Sequence, residues 1–192
     1  MTARTAQETI FQGLIAGWRF LLRKPGAVHL FDRSVRGVWL SFTGPLLAFP
    51  FYILVFVLFP HPTRFEVGWP HYLLVFLLAY GISRLIWPVV ITIIAPLHGK
   101  GPDMAAYIAA YNWSVPYQMA ILLATGLLVL VLDVEPAAGA FINLCSYGLI
   151  LIYHMFIVTS VWGFRGRKAF MISLSEFFIV KFALGMTLMR LG

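Results

Sequence analysis

Residues 72–97 read YLLVFLLAYGISRLIWPVVITIIAPL, with one charged side chain, Arg84, near the middle. At ~1.5 Å of rise per residue, a helix of this length crosses the ~30 Å hydrocarbon core of a bilayer. Lipid offers no partner to backbone N–H and C=O groups, so a segment of this kind folds as a helix that satisfies them internally. Residues 37–59, 115–132, 139–162 and 169–191 have the same apolar character. The expected fold is therefore all-α and polytopic: a five-helix transmembrane domain over 37–192, preceded by a cytoplasmic N-terminal segment over 1–36.

Composition agrees with that class. The chain has 192 residues, 61% hydrophobic and only 11% charged, with a mean hydropathy of +0.89, too little polar surface to coat a water-soluble globule. Its 14 Lys and Arg outnumber 7 Asp and Glu, but they gather in segments flanking the apolar stretches, which is a topology signal rather than a nucleic-acid footprint. The single Cys145 lies in an apolar span and is read as a small core residue, with no intramolecular disulfide and no thiolate metal cluster. Polar residues 1–9, and Arg19, Arg23 and Lys24 within the first apolar stretch, do not make a cleavable signal. Lipidation motifs are not found either, because Thr2 stands where myristoylation needs glycine and the chain ends MRLG.

Thr5-Ala6-Gln7-Glu8 has the capping-box pattern, which predicts a helix from about Ala6 to Pro25-Gly26. Ile10, Phe11, Leu14, Ile15, Trp18, Leu21 and Leu22 share one face of it, and Gln12, Arg19 and Arg23 lie elsewhere. Two readings follow. An amphipathic interfacial helix would rest on the bilayer, with Phe11, Leu14, Trp18 and Leu22 in the boundary and Arg19, Arg23 and Lys24 on anionic headgroups. Alternatively, the stripe packs on this protein's own helices or on a partner.

Pro45 and Pro50 should kink or break the first span, and Pro88 and Pro96 lie in the second. Asn112-Trp113-Ser114-Val115-Pro116 offers a cap residue followed by a proline suited to a first helical turn. It divides the next stretch into a short interfacial or re-entrant helix, Met104 to Trp113, and a third span, Val115 to Leu132. Trp18, Trp39, Trp69, Trp113 and Trp162 fall near predicted helix ends, where indole is favoured.

Counting Lys and Arg by compartment gives six before the first span, one at Lys100 and three in GFRGRK, ten in all on one side. Arg64 and Arg190 make two on the other. The asymmetry places the N-terminus in the cytoplasm and the C-terminus in the periplasm of a bacterial inner membrane.

Arg84, His154, Glu176 and Lys181 are the ionisable residues inside predicted spans. Counting along the hairpin of the last two spans, His154 lies eight residues before Trp162 and Glu176 eight after Lys168, so they share a level. Arg84, thirteen before Leu97, and Lys181, thirteen after Lys168, share a deeper one. Glu176 then either accepts from His154 or neutralises Arg84 or Lys181. The network is either a proton or anion pathway with Glu176 as titrating site, or a structural device that fixes helix packing. No phosphate-binding loop, HExxH, paired carboxylates or nucleophile triad occurs, and no cofactor is implied. His61 and His71 flank a Pro-containing loop and are read as facing water rather than holding a metal.

FDRSVRGVWLSF, YNWSVP and the terminal stretch from LIYHMF through FFIVKFALGMTL resemble a group of small uncharacterised bacterial inner-membrane proteins. A basic cytoplasmic N-terminus followed by five helices is also similar, in topology, to the Yip1 family, whose eukaryotic members bind trafficking GTPases. The DLYGP-type motif of that family does not occur in this chain. Together these readings lead to a non-enzymatic membrane protein that acts by binding lipid headgroups and a protein partner or further copies of itself. The competing expectation is a small proton- or anion-coupled transporter using Arg84, Glu176 and His154.

Overall fold

A computed structural model describes residues 5–59 and 68–191, which form seven α-helices and two short 3-10 turns with no strand among them. They are α1 (Ala6–Leu21), α2 (Val35–Ser41), α3 (Thr43–Leu58), α4 (Trp69–Leu97), α5 (Met104–Val131), α6 (Pro136–Trp162) and α7 (Gly166–Leu191). Five helical stretches are long and apolar enough to cross a membrane: Val35–Val55, Trp69–Leu97, Gly101–Val131, Pro136–Trp162 and Gly166–Thr187.

Local chemistry explains the ends. Thr5 Oγ1 accepts from the Glu8 N–H at 3.2 Å and Glu8 Oε2 accepts from the Thr5 N–H at 2.8 Å, which closes the capping box. Ser34 caps α2 by accepting from the Gly37 N–H at 3.0 Å. Gly163, at φ +72°, ends α6 in the left-handed conformation that glycine adopts without penalty. The first span is divided at Phe42, between α2 and α3, because Pro45 has no N–H to offer the Ser41 carbonyl. Pro50 lies inside α3.

One expectation is overturned. Met104 to Trp113 is not a separate interfacial or re-entrant helix, and Val115 does not open a new span; α5 runs unbroken from Met104 to Val131 with Pro116 inside it. Residues 106–116 are all buried. Asn112, read as a cap, turns its Nδ2 to Ser41 Oγ on α2 at 2.8 Å. Ser114 Oγ donates back to the Tyr111 carbonyl at 2.6 Å. Proline at 116 deprives the Asn112 carbonyl of its helical donor, and α3 covers that oxygen closely: a Cβ on Gly44 would lie 2.4 Å from it.

α5 is the hub, packed against α1, α2, α3 and α6, while α7 packs against α4 and α6. Around it the core is aromatic: Trp87 Nε1 donates to Tyr107 OH at 3.2 Å, and Tyr107 stacks on Trp162 with centroids 4.3 Å apart. A second apolar cluster joins α3, α4 and α5, with Tyr52 stacked on Phe76 at 4.1 Å and the Tyr80 hydroxyl donating to the Pro45 carbonyl at 2.6 Å.

The N-terminal helix packs on the bundle. Gly13, Ala16, Gly17 and Phe20 are buried, and a Cβ on Gly17 would meet the Trp113 carbonyl oxygen at 2.5 Å. Small residues four apart let two backbones approach in this way. Tyr117 OH donates to the Leu14 carbonyl at 2.6 Å and Tyr153 OH to the Gly17 carbonyl at 2.7 Å, so α5 holds α1 by a half-buried phenol and α6 by a buried one.

Candidate functional site

The ionisable residues Arg84, His154, Glu176 and Lys181 come together from three helices, α4, α6 and α7, with the neutral Gln118 added from α5. α6 presents His154 and α7 presents Glu176, with His154 Nδ1 3.0 Å from Glu176 Oε2; both residues are buried. On its other side His154 Nε2 is 2.7 Å from Gln118 Nε2 of α5, and Gln118 Nε2 donates to Ser114 Oγ at 2.6 Å. This arrangement suits a neutral imidazole: Gln118 donates to an unprotonated Nε2, and the Nδ1 proton goes to the carboxylate. A half-turn of the Gln118 amide would present its carbonyl instead and suit a doubly protonated ring. Tyr111 meets His154 edge to face at 5.6 Å, and its hydroxyl is buried close to Glu176 without hydrogen-bond geometry.

Of the alternatives for Glu176, the structure therefore brings it to His154. Arg84 and Lys181 form no ion pair with any carboxylate among the described residues. The Arg84 Nε donates to Ser83 Oγ at 3.2 Å and its guanidinium carbon lies 5.6 Å from the Tyr80 ring centroid. Lys181 Nζ lies 4.2 Å from the centroid of Tyr147 on α6. Both are half-buried midway along their helices, and in a helix that crosses a bilayer a cation at that position costs roughly 2.5–3.5 kcal/mol on insertion scales. A cation over an aromatic face recovers about 0.5–2 kcal/mol, which offsets part of that. Arg84, Lys181, Glu176 and Gln118 line one cavity of about 50 Å³ with Tyr147 and apolar neighbours.

The docking residues are divided by α1. Phe11, Trp18 and Leu22 are 63%, 50% and 48% exposed, and Arg19, Arg23 and Lys24 are exposed beside them. Leu14 is half-buried, with its carbonyl held by Tyr117. His71 is exposed in the first turn of α4, and His61, Arg64 and the side chain of Arg190 lie outside the described residues. No group of three metal-ligating side chains occurs among the described residues. Cys145 is exposed on α6 rather than in the core.

Sequence reasoning missed Ser114 and Gln118, an i, i+4 polar pair in a stretch without charges, and the Gly13-x-x-x-Gly17 spacing that seats α1. Fold and site together describe an all-helical protein with five helices able to cross a membrane and an ionisable cluster among them. Comparison with known protein families, curated proteins and solved structures returns no match.

Proposed function

We propose that this is a non-enzymatic integral protein of a bacterial inner membrane, N-terminus in the cytoplasm, that works by binding as an accessory or assembly subunit of a membrane complex. The observation that carries the reading is the state of α1. Two phenols and a glycine crossing fix it on the bundle, and it presents Phe11, Trp18 and Leu22 outward beside Arg19, Arg23 and Lys24. A rigid aromatic anchor loses little entropy on docking, and aromatic and Arg side chains are the residues that dominate interfaces. The adjoining cations suit anionic headgroups at the cytoplasmic face. The ten-to-two distribution of Lys and Arg supports the orientation.

The test is recovery of the tagged chain at native level in mild detergent, with mass spectrometry of what accompanies it. A stoichiometric partner, lost with Trp18→Ala/Leu22→Ala, is the expected result; equal recovery and membrane distribution for wild type and variant refutes it. Recovery as a homo-oligomer would make it an organiser of its own copies.

The cavity beside the His154–Glu176 pair favours a second reading, a proton- or anion-coupled transporter. It requires Glu176→Gln to abolish pH-dependent flux in liposomes, and equal flux in both removes Glu176 from that mechanism.

A further inference from the structure

We propose that the cavity between Arg84 and Lys181 binds one small inorganic anion of halide size. This deepens the second reading and shares its cavity, but a site can fill without any flux, so the two fail separately.

The charge balance carries it. Two cations and one carboxylate face the cavity, and the carboxylate is engaged by His154 at 3.0 Å. Among the described residues the terminal nitrogens of the Arg84 guanidinium donate to no protein acceptor and Lys181 meets only aromatic faces, Tyr147 at 4.2 Å and Phe177 at 5.8 Å. A guanidinium and an ammonium on two packed helices, α4 and α7, are therefore both left with donors directed by position to one space. In a low-dielectric surrounding such donors attract an anion far more strongly than in water. Gln118 lines the same cavity, with its Nε2 committed to Ser114 Oγ and His154 Nε2.

Volume limits the ligand. About 10–15 Å³ of this kind of space admits one water, so about 50 Å³ suits a halide with a water or two. A lipid phosphate is excluded, since its headgroup belongs at the bilayer surface and both cations sit midway along their helices. Glu176 is the repulsive element: its carboxylate lines the cavity that receives the anion, so occupancy is set against its charge.

The experiment uses the full chain in phosphatidylcholine nanodiscs, titrated calorimetrically with chloride replacing gluconate at constant ionic strength. One saturable site per chain is expected. Arg84→Gln and Lys181→Met should each weaken it by about ten- to a hundredfold, the loss of one charge-assisted contact. Glu176→Gln should tighten it, a change of opposite sign that a merely structural role for the cluster does not produce. Should Arg84→Gln fail to fold by size exclusion, Gln118→Glu keeps both cations and puts a second carboxylate in the cavity, and must abolish binding. Non-saturating chloride heat in the wild type, or equal affinity in wild type and Lys181→Met, overturns the site. Saturable binding without chloride flux in liposomes leaves the site and removes transport.

Discussion

Gly17→Ala tests whether α1 is a fixed part of the bundle. In an exposed helix this change stabilises, since alanine exceeds glycine in helix propensity by about 0.8–1.0 kcal/mol. At Gly17 the added Cβ would lie 2.5 Å from the Trp113 carbonyl oxygen and 2.7 Å from the Tyr117 ring. The carbonyl is backbone in a buried segment of α5 and cannot turn aside, so α1 has to move outward. Overpacking of this kind costs about 1–3 kcal/mol. Moving α1 also stretches the Tyr153 bond to the Gly17 carbonyl and the Tyr117 bond to the Leu14 carbonyl, each worth about 1 kcal/mol. With the stretched bonds losing about half their worth, subtracting the propensity gain leaves α1 docking weaker by about 1–3 kcal/mol. Amide exchange over residues 6–21, followed by mass spectrometry in mild detergent, should then accelerate roughly 5- to 150-fold. Gly81→Ala is the control: its Cβ meets nothing within 4 Å on α4, and exchange there should slow or stay level. If Gly17→Ala leaves α1 exchange unchanged or slower, the close crossing is wrong and the helix is only loosely associated.

Three other changes probe the hub and the cluster. His154→Phe should lower stability by about 3 kcal/mol, because Glu176 is left buried without its partner, while His154→Phe/Glu176→Leu should recover most of the loss; thermal unfolding of the four chains closes the cycle, and additive losses would deny the pair. Tyr117→Phe removes one hydroxyl and should cost about 1 kcal/mol, visible as faster exchange confined to α1. Asn112→Leu should cost about 1 kcal/mol by removing the bond to Ser41 Oγ, which keeps its own bond to the Val38 carbonyl, and no shift in the unfolding midpoint would mean that the α2–α5 bond contributes nothing.

The segment 112–116 shows why local signals misplace a boundary. A cap residue followed by a proline is what a helix start looks like, and Asn112-Trp113-Ser114-Val115-Pro116 has both. What holds the helix together lies far away in sequence: Ser41, 71 residues from Asn112, takes the amide, and Gly44 and Gly17 approach the carbonyls of Asn112 and Trp113. A reading confined to five residues has no access to any of them. At α1 the size of side chains misled in a similar way. The large residues of its stripe include Phe11, Trp18 and Leu22, which stay exposed, whereas Gly13, Ala16, Gly17 and Phe20, none of them in the stripe, make the buried contact. The glycine spacing is visible in the sequence, but it only becomes informative once a second helix is known to lie against it.

The ionisable cluster was legible where one short turn sets the register. Gly163 ends α6 and α7 begins at Gly166, so counting residues back and forward from that turn fixes which side chains share a level, and His154 meets Glu176. Arg84 sits on α4, which no short turn joins to α7; its neighbours follow from the packing of two helices separated by the whole of α5 and α6. Arg84 and Lys181 sit on a deeper level, but their long side chains could also have reached Glu176, and a sequence count cannot choose among three bases for one acid. The choice falls to rotation about the helix axis. In α6 and α7 that rotation turns His154 and Glu176 toward each other with Gln118 behind, and in α4 it turns Arg84 to the cavity instead of to the carboxylate. Two cations without a carboxylate partner among the described residues are thus a consequence of packing, and they are what distinguishes this cluster from a closed structural salt bridge.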